Sequence, residues 1–178
     1  MTRRRPADVA AIVALGSNLP WRGRDPRAIL EAALTKLGAF GTVAARSGWW
    51  RTTAWPDPAD PPFHNLCARL ETDTPPDALM AALLDLEVAF GRVLTSPNAP
   101  RTLDLDLIDY DGRTLDLAAS GGRPALRLPH PRMHERAFVL LPLIDVAPTW
   151  RHPELGLTAG SLAARLTPEA RAGAWREA

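Results

Sequence analysis

Residues 102–110 alternate between leucine and acidic side chains over much of their length, and this pattern most restricts the fold. Leu103, Leu105 and Leu107 fall on one parity, whereas Asp104 and Asp106 fall on the other. Because successive side chains of a strand point to opposite faces of a sheet, the pattern predicts a strand with one aliphatic and one acidic face. We therefore expect helices on the aliphatic side of a sheet and a polar surface on the other side.

Similar patterns predict the remaining elements. An apolar, β-branched run at 9–15 predicts a strand that stops at a Gly-Ser-Asn turn, and residues 42–52 and 63–72 predict two more. In the last of these, Leu66, Ala68 and Leu70 share the aliphatic face, whereas Phe63, Asn65 and Cys67 point to the other face. Helices are expected between Asp25 and Gly38, between residues 74 and 91, at about 134–146 and near 161–166. A loop with four prolines at 53–62 is long enough to suggest a function.

The first six elements follow the order strand, helix, strand, strand, helix, strand, which is the signature of a ferredoxin-like sandwich. We predict an α+β fold with a mainly antiparallel sheet, helices on one face and the active site on the other. Residues 9–166 are expected to form a single domain between a flexible N-terminal extension at 1–8 and a C-terminal tail at 167–178. The arginines at 3–5 do not predict a secretory signal, because Asp8 interrupts the join to the apolar run.

Composition excludes several classes of function. Of the 21 basic residues, 20 are arginine and one is Lys36, and no Gly-Lys pair exists for a P-loop. Basic and acidic residues nearly cancel at 21 and 20, so we expect small-molecule partners rather than nucleic acid or a membrane. The single cysteine, Cys67, excludes an internal disulfide and favours the cytoplasm. A monomer is expected.

The candidate chemistry concentrates at residues 101–106. Asp104 and Asp106 would lie about 6.5 to 7 Å apart along one strand face, where carboxylates can hold a pair of divalent ions, and oxygen ligands favour Mg²⁺. Arg101 precedes this pair and Arg92 follows the preceding helix. Guanidinium groups suit phosphate oxygens, so the combination predicts a nucleoside triphosphate site. The alternative is an amphipathic strand whose acidic face is simply solvated.

A second cluster lies at residues 128–138. Prolines on both sides of His130 fix its backbone, and Arg136 and Phe138 follow at the expected start of a helix. A proline-stiffened turn is the structural alternative. His130 and His134 also suggest zinc, but no third ligand is evident in the sequence.

Five ordered segments resemble the 6-hydroxymethyl-7,8-dihydropterin pyrophosphokinases of folate biosynthesis. They are Ala-Leu-Gly-Ser-Asn-Leu at 14–19, Phe-His-Asn at 63–65, Gly-Arg-Val at 91–93, Arg-Thr-Leu-Asp-Leu-Asp at 101–106, and Pro-His through Arg-Ala-Phe at 129–138. The resemblance runs from about residue 14 to residue 162. Its most specific parts are the segment at 101–106 and the Pro-His segment.

This resemblance implies an ATP-dependent diphosphotransferase that transfers the β,γ-pyrophosphoryl group to the pterin hydroxymethyl oxygen and releases AMP. It implies that Asp104 and Asp106 hold two Mg²⁺ ions and that Arg92 and Arg101 share in catalysis. Pterin would be bound by Thr52, Trp55, Phe63, Asn65 and Phe138, with its ring between the two phenylalanines. ATP would be bound by Arg92, Arg101, His130 and Arg136.

The chain departs from the family pattern at three places. Leu94 and Ala125 stand where arginine is often found, with Arg127 close to the second position, and the pterin loop reads Thr-Thr-Ala-Trp-Pro at 52–56 instead of Thr-x-Pro-x-Gly. Two other functions therefore stay open. One is a nucleotide-binding, non-catalytic relative; the other is an RNA-binding module, which the near-zero charge and the acidic sheet positions disfavour.

Overall fold

The computed structural model describes residues 9–93 and 98–177. Its strands are β1 (Val9–Ser17), β2 (Thr42–Arg46), β3 (Trp50–Thr52), β4 (Phe63–Thr72), β5 (Asp104–Tyr110), β6 (Leu115–Leu117), β7 (Leu126–Leu128) and β8 (Ala174–Arg176). Its helices are α1 (Pro26–Leu37), α2 (Pro76–Ala89), α3 (Ala137–Val146), α4 (Ala159–Ala163) and α5 (Pro168–Ala172), with a 3₁₀ turn at Met133–Glu135.

One antiparallel sheet organises the chain. Its strands lie in the order β5-β1-β4-β3-β8, and β2 also pairs with β4. With α1 between β1 and β2, and α2 between β4 and β5, the two central strands are β1 and β4, as in a ferredoxin-like sandwich. The predicted fold class is confirmed.

Helices α1 and α2 cover the face that the alternation predicted to be aliphatic. The core on this side includes Leu30 and Leu37 of α1, Leu79 and Leu83 of α2, and Leu66, Leu70 and Leu105 of the sheet. The start of α1 forms as expected, because the Asp25 carboxylate accepts the Ala28 N–H at 2.8 Å and Pro26 occupies the first turn.

Helices α3 and α4 pack against half of the opposite face, which the sequence pattern did not indicate. Ile12, Cys67 and Ile108 of the sheet form a second core there with Val139 and Leu143 of α3. Cys67 lies two positions along β4 from Asn65, and Ile108 lies two positions along β5 from Asp106, but neither Asn65 nor Asp106 belongs to this core. The helices therefore take the apolar half of this face and leave the half with Asp104, Asp106 and Asn65 open.

Several short elements differ from the sequence prediction. Residues 42–52 form two strands because the Ser47 N–H bonds to the Cys67 carbonyl at 2.9 Å and the Gly48 N–H to the Asp145 carboxylate at 3.1 Å. The hairpin β6–β7, helix α5 and strand β8 were not predicted, since elements of three to five residues are too short to show a period. In residues 9–93 and 98–177, no helix is long and apolar enough to cross a membrane.

Candidate active site

A cavity of about 940 Å³ opens on the uncovered half of the sheet. It is lined by parts of β1, β3, β4 and β5, by the proline-rich loop after β3, and by residues around the 3₁₀ turn. All of the predicted site residues line it, namely Thr52, Trp55, Phe63, Asn65, Arg92, Arg101, Asp104, Asp106, His130, Arg136 and Phe138. The structure thus brings together residues that are far apart in the sequence.

Gly16 forms part of the cavity floor. It lies opposite Asn65 on β4 and opposite Asp104 on β5, so these three residues form one row across the sheet. A Cβ atom at Gly16 would lie 3.3 Å from Asn65 Oδ1, 3.7 Å from Phe63 Cδ1 and 3.8 Å from Asp104 Cβ. Glycine therefore leaves room between residues that are predicted to bind substrate.

Arginines surround the two aspartates of β5. Asp104 Oδ1 accepts Arg92 Nη1 at 2.7 Å and Arg101 Nη1 at 3.0 Å. Asp106 Oδ2 accepts Arg136 Nη1 at 3.2 Å, and His130 Nε2 lies 3.9 Å from Asp106 Oδ1. The four basic side chains that were predicted to contact polyphosphate therefore all lie beside the acidic pair.

Burial and mutual repulsion perturb these groups. Burial, followed by the charge of Asp104, raises the pKa of Asp106, although His130 and Arg136 act in the opposite direction. Burial lowers the pKa of His130, with the Asp106 carboxylate opposing this shift. The raised pKa of Asp106 therefore reflects its burial first and the adjacent Asp104 carboxylate second.

The buried carboxylate of Glu87 on α2 supports Arg92 and was missed from the sequence. Glu87 is 3% exposed, accepts a hydrogen bond from Arg92 and accepts the Leu105 N–H at 2.6 Å. Burial, with the nearby charges of Asp104 and Asp106, raises its pKa to about 7, against the effects of Leu105 and Arg92. A signal was present, because Glu87 lies four residues after Leu83 on the buried stripe of α2.

Aromatic and amide side chains line the other end of the cavity. The Asn65 amide donates to Thr52 Oγ1 at 3.0 Å and is buried, while Phe63 and Phe138 also face the cavity. The Arg136 guanidinium lies 5.3 Å from the centre of the Phe138 ring, so the arginine-lined and aromatic ends adjoin. Trp55, at 70% exposure, lies at the cavity mouth.

Two further features were not predicted. Glu169, Ala170 and Gly173, in and just after α5, form another part of the wall. A second cavity of about 320 Å³ shares Asp106 and His130 with the first and extends beneath the β6–β7 hairpin. Its lining includes Met80, Leu107, Leu117, Leu126, Asp116, Ala125 and Arg127.

Several other residues noted in the sequence lie outside the lining of the first cavity or outside the described residues. Ala125 and Arg127 line the second cavity rather than the first, and Leu94 lies outside the described residues. His134 lines neither cavity. Its ring packs edge-on against the His152 ring, with 6.0 Å between the ring centres. Within 9–93 and 98–177, no group of three or more histidine, cysteine or acidic residues is arranged to hold a metal.

The fold and the cavity define an α+β enzyme class in which a pair of carboxylates, ringed by arginines, adjoins an aromatic pocket. The sequence model of the 7,8-dihydro-6-hydroxymethylpterin-pyrophosphokinase (HPPK) family matches residues 12–148. This chain belongs to that family. The predicted function is confirmed by this membership: pyrophosphoryl transfer to hydroxymethyldihydropterin in folate biosynthesis, catalysed by a diphosphotransferase with ATP as co-substrate.

Individual relatives support the assignment. The 2-amino-4-hydroxy-6-hydroxymethyldihydropteridine pyrophosphokinase of Synechocystis sp. is 40% identical over 149 residues, covering 83% of this chain and 71% of the relative. The Pseudomonas aeruginosa protein of the same name is 40% identical over 146 residues, covering 80% and 83%. Crystalline wild-type Plasmodium falciparum HPPK-DHPS matches with a TM-score of 0.73 at 14% identity, over 98% of this chain and 49% of that chain. This chain thus spans about half of the Plasmodium chain, and that likeness concerns the fold.

Proposed function

We propose that the larger cavity is where this chain transfers pyrophosphate from ATP to 6-hydroxymethyl-7,8-dihydropterin, giving the pterin pyrophosphate and AMP. The observation that carries this proposal is the convergence of every predicted site residue, from segments between Thr52 and Phe138, on one cavity. In the reaction, the hydroxymethyl oxygen bonds to the β-phosphorus of ATP while the bond from that phosphorus to AMP breaks. The hydroxyl proton is released.

The two ends of the cavity suit the two substrates. Phe63 and Phe138 would sandwich the pterin ring, and the Asn65 amide, oriented by Thr52 at 3.0 Å, would hydrogen-bond its edge. Main-chain groups around Trp55 would complete this end. Arg92, Arg101, His130 and Arg136 would contact the polyphosphate at the other end.

The second cavity suits the nucleoside part of ATP. Met80, Leu107 and Leu126 offer apolar surface to a planar base. Because Asp106 and His130 line both cavities, a single ATP molecule can place its phosphates in the first and its base in the second. The position of Ala125 and Arg127 in this lining makes them candidates for contacts to the nucleoside rather than to the transferred group.

Asp104 and Asp106 fit a pair of Mg²⁺ ions. Their carboxylates share one face of β5, and Mg²⁺ in phosphate sites usually takes one or two protein carboxylates, with waters and phosphate oxygens completing its shell. When bound, these ions would align the phosphates and neutralise their charge.

The arginines of this chain then supply positioning and charge. Arg92 and Arg101 both donate to Asp104 Oδ1, so arriving phosphate oxygens can replace that carboxylate oxygen as their acceptor. Guanidinium groups stay charged at any working pH, and they stabilise charge that develops on the transferred group and on departing AMP. Under this mechanism no strong protein base is required.

Product analysis tests the reaction. Enzyme, ATP, Mg²⁺ and the reduced hydroxymethylpterin should yield AMP; ADP would mean simple phosphoryl transfer, and intact ATP binding without turnover would favour a non-catalytic relative. Asp104→Ala or Asp106→Ala should remove most turnover, whereas Asp85→Ala, on an exposed position of α2, should not. Near-normal rates in either active-site variant would contradict the two-metal assignment.

The role of Arg92 has a separate test. Arg92→Ala should reduce turnover more than pterin binding, because its guanidinium lies against Asp104 and away from the aromatic end. If the variant lost only pterin affinity, the assignment of Arg92 to the polyphosphate would be wrong.

We also propose that the chain acts as a monomer in the cytoplasm. Its single cysteine, Cys67, is buried in the second core and is not available for a disulfide between chains. Light scattering after size-exclusion chromatography would measure the mass in solution, and a dimer mass would overturn the monomer.

A further inference from the structure

The C-terminal segment, residues 167–177, forms a wall of the cavity although it lies beyond the matched family region, which ends at residue 148. Ala170 and Gly173 line the cavity, and β8 pairs with β3 so that Ala174 lies opposite Thr52. The segment therefore adjoins the end of the cavity that we assign to pterin.

Main-chain hydrogen bonds connect this segment to the pterin loop. The Thr53 N–H donates to the Gly173 carbonyl at 2.9 Å, and Thr53 is the first residue of the proline-rich loop that carries Trp55. The preceding residue, Thr52, accepts the Asn65 amide at 3.0 Å. A shift of the C-terminal segment would therefore move both the start of the loop and the side chain that orients Asn65.

Glu177 anchors the segment. Its carboxylate accepts Arg51 Nη1 at 3.2 Å and lies 3.3 Å from His64 Nδ1 and 3.9 Å from Arg27 Nη1. Its N–H donates to the Trp49 carbonyl at 2.9 Å. An edge strand as short as β8 contributes few ladder hydrogen bonds, so this ion cluster and the Arg176–Asp145 ion pair at 3.3 Å help to hold it on β3.

We propose that Glu177 is a positioning residue for pterin binding, which holds the C-terminal segment against Thr52 and Thr53 and thereby fixes the shape of the pterin end of the cavity. This inference rests on the proposed function. It assigns to Glu177 an effect on pterin and none on ATP, because Thr52, Thr53 and Asn65 lie at the pterin end, away from the arginines.

The test combines steady-state kinetics with amide exchange. Glu177→Gln keeps the size of the side chain and removes its charge, and it should raise KM for the pterin about three- to tenfold while kcat and KM for ATP change by less than about twofold. The Thr53 amide should exchange faster in the same variant, since its acceptor is Gly173. Glu177→Asp should restore part of the pterin affinity.

A matched control is Glu71→Gln, which removes the exposed ion pair that Glu71 makes with Arg69 at 3.3 Å, at the opposite end of β4 from Phe63 and Asn65. It should leave KM and Thr53 exchange unchanged. An unchanged pterin KM in Glu177→Gln, parallel rises in both KM values, or a raised pterin KM without faster Thr53 exchange would each overturn the proposal. If the unsubstituted chain released no AMP, the proposed function itself would fail, which is a distinct result.

Discussion

Glu87 connects the stability of the fold to the geometry of the site. Because β5 is at the edge of the sheet, the Leu105 N–H faces away from β1 and has no strand to bond to. The Glu87 carboxylate accepts that N–H at 2.6 Å and also accepts Arg92, which in turn reaches Asp104 at 2.7 Å. One buried side chain therefore completes an edge strand and orients an arginine of the site.

Replacing Glu87 by Ala and by Gln separates these two effects. Glu87→Ala leaves the buried Leu105 N–H unpaired and removes a partner of Arg92, so we expect it to lower the free energy of unfolding by about 2–3 kcal/mol. Glu87→Gln retains an acceptor oxygen for the N–H, and Arg92 keeps Asp104, so a loss of less than about 1 kcal/mol is expected at pH 7. Both variants should lower kcat, because Arg92 loses part of its support.

The raised pKa of Glu87 also predicts that the stability of the fold depends on pH. The pKa of Glu87 is raised from 4.5 to about 7, chiefly by burial, so the native state binds this proton more tightly than the unfolded chain does. Its contribution to stability is therefore greatest at low pH and is lost as the pH rises from about 4.5 to about 7. Asp106 and Asp109 also have raised pKa values but are present in both proteins, so the difference between parent and Glu87→Gln isolates Glu87.

Urea unfolding followed by circular dichroism at pH 5 and pH 7.5 measures these differences. The parent should lose more stability than Glu87→Gln between the two pH values, with equal m-values for the two proteins. This role of Glu87 would be contradicted by equal losses in the two proteins, or by an unfolding free energy of Glu87→Ala within about 1 kcal/mol of the parent.

Three further predictions follow from single positions. Gly16→Ala should lower kcat/KM about tenfold or more with an unchanged circular dichroism spectrum, because its Cβ would lie 3.3 Å from Asn65 Oδ1; normal kinetics would contradict a role for Gly16 in shaping the floor. Burial raises the pKa of the Cys67 thiol, so a thiol reagent should label it only after unfolding, and rapid labelling of native protein would count against its burial. Leu70→Ala should cost about 2–5 kcal/mol in urea unfolding, whereas the exposed Val88→Ala should cost less than about 0.5 kcal/mol; similar losses would contradict the assigned core.

The sequence was sufficient for the central fold because its signals are local. Side-chain direction alternates along a strand, so the pattern at 102–110 by itself separates the leucines of the core from Asp104 and Asp106. The same rule placed Leu66 and Leu70 against helices and Phe63 and Asn65 on the cavity side. The order of strands and helices then left the ferredoxin-like arrangement as the expected fold.

Features that depend on contacts between distant residues are visible only in the tertiary structure. Whether the acidic face is solvated or enclosed depends on the register that sets Gly16 between Asn65 and Asp104, and on where α3 and α4 stop covering the sheet. The contacts of Glu87 and Glu177 likewise involve partners far along the chain, Leu105 and Arg51. No local pattern encodes such pairings, because they arise only when separate segments pack and exclude water from one another.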